Sequence, residues 1–110
     1  MMPTEAECQA VIVKAAMLAG WRVHAERTSR TQSGGWATAI QGHPGFCDLV
    51  LVRGEQLWFL ELKRDKTGRI GPGQDEWIDA LEAVPGVRAA VIWVPSEQDR
   101  LIKMLQRKPT

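Results

Sequence analysis

With 110 residues, 45% hydrophobic, 25% charged and a formal net charge of +1, the chain has the make-up of one ordinary globular domain. Its apolar runs fall well short of the roughly 20 residues a bilayer span requires, and its two cysteines, Cys8 and Cys47, are too few for a disulfide framework or a zinc site. Glu5 and Glu7 stand where a secretory leader would be basic, and Lys14 interrupts the apolar stretch, so a cytoplasmic single domain with reduced thiols and no membrane partner is expected over 1–110.

Residues 4–19 read as a helix. Thr4 and Glu7 have capping-box spacing, Gly20 is a natural stop, and Cys8, Val11, Ile12, Ala15, Leu18 and Ala19 form the expected apolar face. Residues 22–28 read as a strand. From Ser29 to Gly45 the chain is rich in Gly, Ser, Thr and Gln and reads as a long loop, a common form for a binding element. Two strands follow, 47–52 and 57–63, joined at Gly54-Glu55, where a glycine at the first position suits a two-residue hairpin. After a glycine-rich loop, a helix is expected over 72–84, a strand over 87–94 closed by Pro95, and a last helix opened by Ser96-Glu97-Gln98-Asp99. The order α-β-ββ-α-β-α implies an α/β domain with a mixed central sheet flanked by helices.

The hairpin carries the chemistry. A turn at Gly54-Glu55 sets Val52 opposite Leu57 and Asp48 opposite Glu61. Opposed carboxylates in an apolar hairpin repel and cost stability unless something neutralises them. A divalent cation does so, and Mg²⁺ typically takes one or two carboxylates with water and phosphate oxygens. Alternation along the strand puts Lys63 on the face of Glu61, where an ammonium can orient or deprotonate a water or offset charge on a phosphate. The competing reading is a hairpin whose ends simply enter solvent, and an odd-length loop would turn Asp48 to the other face. Glu5 projects into the arc of Cys8, Ile12 and Ala15 and is the preferred third acid, with Glu7 the fallback because a capping box engages it. Gln9 lies one turn later. Gln74 shares a face with Trp77, Ile78 and Leu81. It reaches either the site or the nearby backbone.

Distribution of charge matters more than its sum. Arg22, Arg27 and Arg30 lie together, as do Lys63, Arg64, Lys66 and Arg69, while Asp75, Glu76, Asp79 and Glu82 form a separate acidic segment. Such runs are solvated surface or, beside a metal site, a nucleic-acid grip formed by Arg27, Arg30, Arg64, Lys66 and Arg69. Trp36, in the polar loop, either anchors that loop or stacks on a base. His24 and His43 lack a nucleophile or ligand partner and read as structural or incidental, and Trp58, Trp77 and Trp93 read as packing residues.

Taken in order, G45-F-C-D48-L-V-L-V, L57-W-F-L-E61-L-K63-R and G71-P-G-Q74-D-E-W77 resemble the VRR-NUC family of the PD-(D/E)XK nuclease superfamily, from about Thr4 to Val94. The resemblance implies a restriction-endonuclease-like αβββαβ core and one nuclease domain. It makes Asp48, Glu61, Lys63 and Gln74 the catalytic set, with Asp48, Glu61, the carbonyl of Leu62 and Glu5 around Mg²⁺ or Mn²⁺ and no organic cofactor. It also implies DNA as partner, a homodimer acting on branched or four-way DNA, and a phage or bacterial setting. One departure is Cys47, where the family often has proline. A DNA-gripping module without cleavage and a nuclease subunit of a larger assembly are the alternative readings.

Overall fold

The computed structural model describes residues 2–26 and 41–108. Its elements run α1 (Glu5–Leu18), β1 (Arg22–Ala25), β2 (Leu49–Arg53), β3 (Gln56–Arg64), α2 (Gln74–Glu82), β4 (Val87–Val94) and α3 (Gln98–Gln106). The strands form one sheet in the order β1-β2-β3-β4, antiparallel except for the parallel pairing of β3 with β4. Antiparallel neighbours need only a tight turn, whereas a parallel pair needs a crossover, which α2 supplies.

The sheet has two different faces because side chains alternate along each strand. Leu49 and Leu51 of β2 with Trp58, Leu60 and Leu62 of β3 point to one face and pack with Cys8, Ile12 and Ala16 of α1 and Leu101 and Leu105 of α3. Trp21 joins this core, its ring centroid 4.9 Å from that of Trp58 and its Nε1–H donating to the Leu105 carbonyl at 2.8 Å. Arg53 lies over Trp21 at 4.4 Å and donates to the Ala19 and Leu105 carbonyls at 3.1 and 2.9 Å, tying together the ends of α1 and α3. The opposite face of β3, carrying Phe59, Glu61 and Lys63, is left to α2.

Thr4 caps α1 as expected: Glu7 N–H donates to Thr4 Oγ1 at 3.1 Å and Thr4 N–H to Glu7 Oε1 at 2.9 Å. The backbone bond to Thr4 holds the Glu7 carboxyl below its ordinary range. The buried face of α1 differs from the expected one. It is Cys8, Gln9, Ile12 and Ala16, while Val11 is 49% and Leu18 80% exposed. The helix is apolar on more than one side, so periodicity alone chose the wrong stripe. The helix α2 also starts later than expected, at Gln74, because Gly73 takes a left-handed φ of +83° that no helical residue adopts. Ser96 does not open α3 as a cap. Glu97 is the N-cap, and Ser96 N–H and Oγ–H both donate to Asp65 at 2.8 Å.

As an edge strand, β4 offers unpaired N–H groups to other chains. Here Ala89 N–H donates to Glu82 at 2.6 Å and Trp93 N–H to Glu97 at 2.7 Å, so two acidic side chains blunt that edge.

Candidate active site

The observed register is the one a two-residue turn dictates: Val52 pairs with Leu57 and the ladder runs to Leu49 opposite Leu60. One step further, Asp48 lies beside Glu61 on the α2 face. Asp48 leaves the ladder proper, since its Oδ2 accepts from Leu62 N–H at 2.8 Å. That bond fixes the carboxylate against the backbone of β3, beside the Glu61 carboxyl.

Glu61 is 3% exposed, which is rare for a carboxylate. Its Oε2 accepts from Gln74 Nε2 at 2.9 Å and lies 3.6 Å from Lys63 Nζ. Its Oε1 is buried and has no hydrogen-bond partner. Burial, then the neighbouring Asp48, pushes the Glu61 carboxyl up to about 8, against a smaller downward pull from Lys63. Two adjoining acids thus share a dry site with one cation beside them, and one oxygen has nothing to bind. A buried unsatisfied carboxylate oxygen costs free energy unless a proton or a cation meets it. The donor set fits a hard divalent cation.

Gln74 serves both roles open to it. Its Oε1 accepts from Gly71 N–H at 2.5 Å, locally, while Nε2 reaches across to Glu61. What brings α2 close enough is a contact between two glycines. A Cβ on Gly45 would stand 2.6 Å from Gly73 C and 2.7 Å from Gln74 N, and one on Gly73 would stand 2.5 Å from Pro44 O. Both glycines have left-handed φ, +92° and +83°. Aromatic packing completes the clamp: Phe46 meets Trp77 edge-on at 4.9 Å and Phe59 at 6.0 Å, and Trp77 Nε1–H donates to the His43 carbonyl at 3.1 Å. The segment leading to Asp48 and the segment leading to Gln74 are therefore one rigid junction. His43 thus has a structural part, played by its backbone. The close approach of Gly45 to Gly73 was hidden in the sequence, where only the glycine and proline content of the two segments hinted at it.

Cys47 takes the position where the resemblance expects proline. It is buried, and burial, then Glu61 and Asp48, pushes its thiol up to about 12, so it stays neutral.

Not every expected residue joins this group. Among the described residues, no set of three or more His, Cys, Asp or Glu side chains is grouped to hold one ion. The body of α1 packs on the Leu60–Leu62 face of the sheet, whereas Glu61 meets Gln74 of α2 on the other. Gln9 is buried along α1, beside Ala10 and Val13. Leu62 touches the site through its backbone N–H, its side chain lying in the core. Arg64 falls on the other face from Lys63 by alternation. The Cys8 thiol, raised chiefly by burial, feels the Arg64 charge as an opposing influence. Lys66 and Arg69 are exposed on the turn after β3, where Arg69 bonds the Gly68 carbonyl at 2.9 Å. Arg27, Arg30 and Trp36 lie outside the described residues.

No family model matches the chain, and no curated protein matches it. Among solved structures, one described as a "VRR_NUC domain protein" superposes with a TM-score of 0.62, covering 96% of this chain and 88% of that one at 22% sequence identity. Together with the mixed four-stranded sheet and three helices, that likeness gives this chain a VRR-NUC-like, restriction-endonuclease-like fold.

Proposed function

We propose that this protein is a metal-dependent endonuclease that hydrolyses phosphodiester bonds in DNA. The observation that carries the reading is the meeting of Asp48, Glu61, Lys63 and Gln74 on one face of the sheet, with Glu61 Oε1 buried and unpartnered. The description of the structural neighbour as a VRR_NUC domain protein supports the nuclease class. Asp48, Glu61 and the carbonyl of Leu62 would hold Mg²⁺ or Mn²⁺, and no organic cofactor is required. A divalent cation supplies Lewis-acid polarisation of the scissile phosphate and offsets its charge. Lys63 orients the attacking water and offsets the charge that grows on the phosphate as water attacks. Gln74 holds Glu61 by one oxygen and so reserves the other. Lys66 and Arg69 would bind the DNA backbone together with Arg27 and Arg30, and Trp36 would stack on a base.

The proposed working form is a homodimer acting on branched DNA, since two-fold assembly presents two sites to a two-fold substrate. The surface that favours pairing is the outer side of α1, where Ala6, Ala10, Val13, Met17 and Leu18, with Gln9 and Lys14 among them, line an open groove of about 740 Å³. Met17 and Leu18 are 62% and 80% exposed there. Contiguous exposed apolar surface of this kind marks an association site. The test is incubation of purified protein with linear, flapped and four-way DNA, with and without Mn²⁺. Metal-dependent cutting, fastest on the branched substrates, is expected. Binding without cutting under every condition would replace the nuclease reading with a DNA-gripping module.

A further inference from the structure

Where the segments of the Gly45–Gly73 junction meet α2 lies an open groove of about 490 Å³ lined by His43, Pro44, Pro72, Glu76, Trp77 and Ala80. Its volume is within the range of small-ligand sites. Its walls belong to the two segments that carry Asp48 and Gln74: Pro44 precedes Gly45, and Pro72 and Gly73 lead directly into Gln74. A nucleic-acid strand held at Glu61 and Lys63 therefore has this groove beside its neighbouring nucleotide.

The lining selects what can enter. Among the described residues, no lysine or arginine lines the groove and the one charged side chain is the carboxylate of Glu76, so a phosphate is disfavoured. Two prolines and an indole offer flat apolar surfaces, which suit the face of a base. The Trp77 ring is fixed before any ligand arrives, by its hydrogen bond to His43 O at 3.1 Å and by Phe46 against it. Among the described residues, Glu76 has no ion-pair partner, so its carboxylate is available to accept from a ligand donor. A carboxylate accepts from the exocyclic amino group of cytosine, whereas the single donor of an unpaired thymine, N3–H, is flanked by two carbonyl oxygens that repel a carboxylate.

We propose that this groove is a nucleobase subsite that takes an unpaired, amino-bearing base, cytosine in preference to thymine, next to the cleaved bond. A paired base cannot present both a free face and a free edge, whereas a splayed one does. The substrate class is accordingly DNA with an unpaired nucleotide flanking the cut. This inference rests on the nuclease reading for its placement beside a scissile bond, but the groove can be tested without cleavage.

The experiment is metal-free NMR of the ¹⁵N-labelled full chain, following the Trp77 indole N–H, assigned by its loss in Trp77→Phe. Three probes of equal length are titrated: oligodeoxycytidine, oligothymidine and an abasic sugar-phosphate chain. Oligodeoxycytidine should move the Trp77 resonance with affinity on the order of tenfold above oligothymidine, and the abasic chain should leave it in place. Glu76→Gln, at an exposed position, should bring the cytosine-to-thymine ratio close to one, because an amide serves either base. Equal responses to all three probes, a silent Trp77, or an unchanged ratio in Glu76→Gln would each overturn the subsite. Cleavage with Mn²⁺ is scored separately: cutting with a silent groove rejects the subsite alone, and a base-selective groove without cutting rejects the nuclease reading alone.

Discussion

Replacing Gly45 by alanine tests the junction that holds Gln74 against Glu61. The added methyl meets Gly73 C at 2.6 Å, Gln74 N at 2.7 Å and Pro72 O at 2.9 Å, all backbone atoms that no rotamer change can move aside. It also sits at a φ of +92°, where a non-glycine residue is strained by about 1–3 kcal/mol. Gly86→Ala isolates the second effect. Its φ is +83°, yet a Cβ there meets nothing within 4 Å. The two substitutions share the backbone cost, so their difference is the overpacking at Gly45, about 1–3 kcal/mol. At roughly 4 °C per kcal/mol for a domain near this size, Gly45→Ala should melt about 4–12 °C below Gly86→Ala. Thermal unfolding by circular dichroism measures this directly. Cleavage assayed well below both midpoints should also fall more in Gly45→Ala, because relief of the clash pushes the start of α2 away from Glu61. Equal melting temperatures for the two variants would refute the close approach of the two segments.

The acid pair makes stability depend on pH. Glu61 is raised from 4.5 to about 8, so between those values the native state holds a proton that the unfolded chain has released. The metal-free protein should therefore lose stability as pH rises from about 4.5 to 8 and level off above, and Glu61→Gln should remove that fall; urea midpoints across the range check it. Bound metal must displace the same proton, so the rise in melting temperature on adding Mg²⁺ should be larger at pH 8 than at pH 6, and an equal rise at both would count against Glu61 as a ligand. In assembly, light scattering should give the dimer mass for the wild type and the monomer mass for Leu18→Glu, which places a charge on the apolar outer side of α1. A wild-type monomer at micromolar concentration would remove the two-fold model.

What the sequence made legible was mostly local. A two-residue turn at Gly54-Glu55 fixes the register of β2 and β3, and that register alone sets Asp48 beside Glu61 and Lys63 on their face. The capping box at Thr4 is likewise a short-range device readable from residue types. Gln74 was recognisable as a polar group on an apolar helix face, but its two simultaneous partners were not, since one lies on another element. Errors arose where local pattern was ambiguous. Met17, Leu18 and Val11 make α1 apolar away from the core, so its buried stripe could not be chosen from periodicity. Adjacent strand residues point opposite ways, so Arg64 leaves the face of Lys63. The contact of Gly45 with Gly73 joins residues distant in the chain and leaves no short-range signal.

The central claim is that Asp48, Glu61 and Lys63 form a cutting site, and it is tested most directly by comparing Lys63→Ala and Asp48→Asn with the wild type. DNA cleavage rate and DNA affinity are measured for all three at one fixed salt concentration with Mn²⁺. Lys63→Ala should lose on the order of 10²–10⁴-fold in rate while its affinity changes far less, because only one of several backbone contacts is removed. Asp48→Asn should stop cutting and hold DNA at least as well, having lost a negative charge that faces phosphate. Rates unchanged in both variants would contradict the account and leave the fold as a surface for gripping DNA.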